Sequence, residues 1–182
     1  MADVKISELP AASALVAGDL FPAVQDDGGL VTRKATAAQI GDYVRGLAGT
    51  VRQVVQGTHS TEVITTSETL VPTGLTATIT PTSASHKVLV LVSQPVTAQN
   101  AGGDAWGDWR IRRGADQIGG SVGFFSASNG IRINAFSVVF DSPSSASAVT
   151  YSTDVRRANS GTTVTTNEFG IAAQIVLVEV AA

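Results

Sequence analysis

The stretch Gly74–Val92, GLTATITPTSASHKVLVLV, decides the fold. In its first half Leu75, Ala77 and Ile79 alternate with Thr76, Thr78 and Thr80. Successive strand side chains point to opposite faces, so this is a strand with one face buried. Pro81 ends it, because proline cannot donate to a ladder. A polar turn follows, with His86 in Ser85–Lys87, and then Val88–Val92 is apolar without a break. Such a run predicts a strand covered on both faces.

The same period extends toward the C-terminus. Trp109, Ile111 and Arg113 alternate with Arg110 and Arg112, and Gly114 turns the chain. Ile131–Phe140 begins alternating and ends solid. Val149–Val155 alternates, Asn159–Gly161 turns, and strands follow at Thr162–Thr166 and Ile171–Val180. About eight to ten short strands separated by Gly, Pro, Ser and Asn predict a mainly β protein. The expected architecture is an antiparallel β-sandwich, jelly-roll-like, over residues 50–182.

On the other side of the opening stretch the period is helical. Thr36 is an N-cap type, and Gln39 three residues on completes a capping-box pattern. Ile40, Tyr43, Val44 and Leu47 fall on one stripe, and Gly46 and Gly49 end the helix. Isolated helices this short are marginal, so the stripe over residues 36–49 needs a partner. Residues 1–35 read as irregular, broken by Pro10, Pro22 and Gly28–Gly29, with short extended pieces at Leu20–Val24 and Leu30–Arg33. A segment with apolar anchors and no core pattern is expected to become ordered by lying on something else.

Composition narrows the function. The 182 residues are 43% hydrophobic but only 5% aromatic and 15% charged, and the formal charge is −3. There is no basic cluster to neutralise phosphates, so no nucleic-acid partner is expected. Without cysteine there is no disulfide, thiolate metal site or Cys nucleophile. No apolar run is long enough to span a bilayer, and Asp3 and Glu8 argue against a Sec signal. Low surface charge suits a chain buried in an oligomer. The runs Val88–Val92 and Ile175–Val178 leave two readings open: central strands overlaid by loops, or outer faces packed on neighbouring copies. With the orphan helix stripe, the second reading predicts a homotrimer.

Catalytic chemistry is thin. His59 and His86 have no metal-ligand spacing, and His86 reads as a solvated turn residue. No G-x-S-x-G elbow or P-loop context is present. Asp104 and Asp108 could pair as glycosidase carboxylates only if space placed them so. The chain is expected to be no enzyme and to use no metal or cofactor. The densest local chemistry is GGDAWGDWRIRRG, Gly102–Gly114, which holds both tryptophans. Exposed aromatics with carboxylates and guanidiniums suit a glycan-recognition loop, with Trp106, Asp104, Asp108, Arg110 and Arg112 as candidates. The bland alternative puts Trp109 in the core and Trp106 over an edge. In the loop Phe124–Gly130 only one of Phe124 and Phe125 can point inward, which makes Phe125 a further binding candidate.

Three words in order carry a family resemblance: KISELP at Lys5–Pro10, GDLFPAVQ at Gly18–Gln25 and TRKATAAQI at Thr32–Ile40. Together they resemble the N-terminal segment of tailed-phage fibre and tail proteins. Thr73–Pro81, Lys87–Val90, Tyr151–Gly161 and Ile175–Glu179 resemble a β-sandwich module of phage fibres and spikes. The resemblance implies a trimeric knob that touches the host surface, carried by an attachment segment. On that footing Ile6, Leu9, Leu20, Phe21 and Val24 anchor the chain to other virion proteins, Ile40, Tyr43, Val44 and Leu47 trimerise it, and the knob contacts host saccharide. No shaft separates Leu47 from Val51, which favours a short spike or head-attached fibre at a particle surface. The alternatives are a purely structural decoration or spike base, and a small polysaccharide depolymerase.

Overall fold

The structure is a computed structural model that describes residues 16–26, 30–127 and 129–182. The chain divides into two compact units, Met1–Thr50 and Val51–Ala182.

In the first unit, strands β1 (Leu20–Asp26) and β2 (Leu30–Thr36) pair antiparallel in register from Leu20↔Thr36 to Asp26↔Leu30. Residues expected to be irregular with short extended pieces are therefore a seven-pair hairpin. Helix α1 (Ala37–Gly46) follows directly. Thr36 Oγ1 accepts from the Gln39 amide at 3.1 Å, and Gln39 Oε1 accepts from the Thr36 amide at 2.8 Å, which completes the capping box. Ile40, Tyr43, Val44 and Leu47 are all exposed. Leu20 is exposed and Phe21 half-buried. Ile6 and Leu9 lie outside the described residues, as does the side chain of Val24.

The second unit is an antiparallel β-sandwich of ten strands: β3 (Val51–His59), β4 (Val63–Thr65), β5 (Val71–Ile79), β6 (Lys87–Gln99), β7 (Ala105–Arg113), β8 (Asp116–Ser126), β9 (Gly130–Asp141), β10 (Val149–Arg157), β11 (Thr163–Thr166) and β12 (Ala173–Val180). One sheet runs β5-β10-β7-β8. The other is organised on the long strand β6. On one side β6 pairs with β9 along its whole length. On the other it pairs first with β12, over residues 87–93, and then with β11, over residues 96–99. Strand β3 extends the sheet beyond β12 and β4 extends it beyond β11.

The alternating residues of the opening stretch fill the space between the sheets. Leu75, Ile79, Val88, Val90, Val92, Trp109, Ile111, Tyr151, Ile175 and Leu177 are buried. Trp109 is core, as one of the two readings had it. Three polar groups are buried with them. Glu179 and His86 form a pair at the Lys87 end of the sandwich. Asp141 takes two hydrogen bonds from Arg113, both at 2.9 Å, and one from the Tyr151 hydroxyl at 2.7 Å. Burial, the bond to Asp141 and its negative charge push the Tyr151 hydroxyl well above its ordinary range, with Arg113 opposing. Gln94, Thr73, Thr153 and Asn167 form a third cluster in mid-sandwich.

His86 is a correction. It is buried rather than a solvated turn residue, because Glu179 on the last strand reaches its Nδ1 at 2.6 Å. The partner lies 93 positions away, beyond what local composition can show.

Tyr151→Phe is expected to lower stability by about 2 kcal/mol, since it removes a hydrogen bond to a buried carboxylate and leaves the packing unchanged. Urea unfolding measures it, and a change under about 0.5 kcal/mol contradicts the assigned bond.

Candidate functional site

The stretch read as a recognition loop is strand β7, and Phe124–Ser126 belong to strand β8. Strand geometry brings the candidates together better than a loop would. Trp106, Asp108, Arg110 and Arg112 are two apart, so all four face outward from the four-stranded sheet. Trp106 pairs in register with Phe125 of β8, and their rings meet edge to face at 4.9 Å and 74°. Each is 46% exposed. Phe124, its neighbour, is buried. Gly107 makes that possible, because a Cβ there would lie 2.2 Å from the Phe124 ring.

The charges beyond the aromatic pair are mostly matched. Asp108 takes bonds from Arg156 at 2.7 and 2.9 Å. Arg112 reaches the buried Asp154 at 2.8 Å. Arg110 bonds Ser121 at 3.3 Å and has no carboxylate partner among the described residues. Asp104 stands before β7 and contributes its carbonyl, which accepts from Asn100 and Asn159. Its carboxylate is not drawn into a pair with Asp108, which Arg156 occupies. Arg156, Asp154 and Ser121 were not singled out from the sequence. They reach the row through the pairing of β10 and β8 with β7, which local sequence does not encode. Among the described residues no group of His, Asp and Glu gathers to hold a metal. None of their helices is long and apolar enough to cross a membrane.

The opposite outer surface has a different chemistry. On the six-stranded sheet the outward residues near the Lys87 end are Leu89 and Leu91 of β6, Val176 and Val178 of β12, Val54 of β3, and Phe136, Val138 and Phe140 of β9. The β6 and β12 residues are half-buried by their neighbours. Phe136 and Phe140 are 61% exposed, and Val138 is 51% exposed. The sandwich therefore presents a polar, aromatic-tipped face on one sheet and, on the other, an apolar patch toward the Lys87 end of the outer face. A contiguous apolar surface of this kind marks an interaction site.

No protein-family model and no curated protein matches the sequence. Among solved structures the chain is similar to one in the structure of infectious bursal disease virus, Gt strain. The identity is 13% and the TM-score 0.32, and the match covers 96% of this chain and 47% of that one. The chain thus spans about half the length of that structure's chain. At this level the likeness says nothing about function.

Proposed function

We propose that the chain is a structural subunit of a virus or phage-like particle, a short trimeric fibre or spike. The N-terminal unit attaches it to other particle proteins, and the sandwich contacts the host surface, saccharide in particular. One observation carries this reading: the outer face of the six-stranded sheet holds an exposed apolar patch of Phe136, Val138 and Phe140, while the other sheet turns the charged Trp106 row outward. A monomer in water would expose Phe136, Val138 and Phe140 for no return, whereas a subunit packed on its own copies buries them. That leaves the Trp106–Arg112 row pointing outward. The exposed stripe of Ile40, Tyr43, Val44 and Leu47 on α1 supports self-association independently, and the N-terminal sequence words support the particle. The subunit is read as non-enzymatic.

Native mass spectrometry tests it. The wild-type chain is expected to be a trimer. Val138→Asp is expected to weaken association by about a hundredfold or more, because each interface would bury an unpaired carboxylate. Ile40→Asp is expected to loosen the trimer while the sandwich stays folded by circular dichroism. A monodisperse wild-type monomer, or a trimer indifferent to both changes, overturns the assembly reading.

A further inference from the structure

The order in which β12 and β11 share one side of β6 creates a second site. Between them β6 has Gln94 and Pro95, and the connecting residues 167–172 must leave the sheet and return over its outer face. Three residues of that link have left-handed backbone: Asn167 at φ 55°, Phe169 at φ 62° and Gly170 at φ 72°. Such a conformation is unfavourable for phenylalanine and persists only where its surroundings impose it. Here they do. Asn167 is fully buried, accepts from Gln94 Nε2 at 2.9 Å and donates to the Thr61 carbonyl at 3.0 Å. The result is a phenylalanine ring held 74% exposed on a fixed backbone.

The surroundings of the ring are polar and neutral overall. The Arg132 guanidinium lies 4.7 Å from the Phe169 ring centre. Glu168 holds it there, with Oε2 accepting from Arg132 Nε at 3.1 Å and from the terminal nitrogen at 2.8 Å, and from Thr97 Oγ1 at 2.7 Å. All three bonds fall on Oε2, so Oε1 is left as an acceptor. Beside Arg132 a groove of about 360 Å³ runs over Pro95, Ile171, Ser93 and Asn134. Ser93 and Asn134 bond each other at 2.8 and 3.2 Å, which satisfies the pair and leaves one amide hydrogen and several lone pairs to offer.

We propose that this groove binds a neutral saccharide, with one sugar ring between Ile171 and Asn134 and Phe169 as its flanking platform. A sugar ring has an apolar C–H face and a rim of hydroxyls that both donate and accept. The groove supplies the complement: apolar walls from Pro95 and Ile171, the neutral amide and hydroxyl of Asn134 and Ser93, and the Arg132 guanidinium, whose charge Glu168 balances from beside the groove. An anionic ligand would find Arg132 already matched by Glu168. The groove lies in the polar half of the outer face and borders the apolar half, since Ser93 on its wall is the register partner of Phe136. This deepens the host-contact reading and moves the sugar site away from the Trp106 row.

The test is titration of the ¹⁵N-labelled chain with maltotriose, cellotriose and chitotriose, with trigalacturonate as acidic comparator. At least one neutral trisaccharide is expected to shift the amides of Asn134, Phe169 and Ile171 with micromolar to millimolar affinity. Phe169→Ala is expected to weaken it about tenfold. Glu168→Gln, which keeps size but releases Arg132, is expected to weaken it at least threefold. If no neutral trisaccharide shifts these amides, if trigalacturonate binds more tightly, or if the shifts fall on Trp106 and Phe125 instead, the proposal is overturned. Groove shifts in a chain that proves monomeric would sink the assembly reading alone.

Discussion

Replacing Glu179 by alanine is expected to destabilise the sandwich by about 3–5 kcal/mol, the cost of removing one partner from a buried ionic cluster. Glu179 is fully buried. Its Oε1 accepts from the Thr82 amide at 2.6 Å, the Thr82 hydroxyl at 2.7 Å and His86 Nδ1 at 2.6 Å, and its Oε2 accepts from Gln53 at 2.6 Å. Alanine leaves all of these facing a cavity. Burial alone would push the carboxyl up, but the bonds from His86, Gln53 and Thr82 outweigh it and bring the pKa from 4.5 down to about 2. A depressed carboxylate binds fewer protons folded than unfolded, so its stabilisation is complete above the unfolded value and disappears as pH falls through the folded one. Wild type is therefore expected to lose roughly 3 kcal/mol from this group between about pH 4.5 and pH 2. Glu179→Gln should lack that part of the pH dependence. Urea unfolding of both proteins from pH 2 to 7 measures the difference, and parallel stability curves would refute the assignment.

Gln94→Leu is expected to cost about 3 kcal/mol, although leucine is the more hydrophobic residue. Gln94 is fully buried, accepts from Thr153 at 2.8 Å and Thr73 at 3.4 Å, and donates to Asn167. Thr73 and Thr153 can still satisfy each other at 2.5 Å, but the Asn167 carbonyl oxygen is orphaned, and one or two unmade buried bonds cost about 1–3 kcal/mol each. The effect should reach beyond stability. Asn167 fixes the left-handed link, so the amide signals of Phe169 and Gly170 are expected to broaden or move. A leucine variant as stable as wild type, with those signals in place, would contradict the network.

Much of this fold can be read locally. The alternation in Val71–Ile79 and the solid run in β6 identify strands because side-chain period follows from backbone geometry, whatever the partner. Thr36 and Gln39 identify the start of α1 because a capping box closes within four residues. Strand β8 was missed because Gly119, Gly120 and Gly123 dilute its pattern, and β4 because three residues carry no period. The Trp106 row was visible as composition but not as a strand. Its partners Arg156 and Asp154 arrive from β10, more than forty positions on. The Phe169 groove had no sequence signal, since it depends on two strands taking turns along a third.

The position of β3 has a mechanical consequence. The chain passes from Thr50 into β3 at Val51, and β3 is bonded into its sheet through β12 along eight register pairs, from Val51↔Val180 to Ala173↔His59. Antiparallel pairing puts Val51 at one end of this ladder and the groove-bearing link at the other. Tension applied at Val51, while the groove end is held, pulls along the strand axis. It strains the ladder bonds together in shear instead of opening them one at a time. The edge strand is thus a tensile joint, strongest along its own axis.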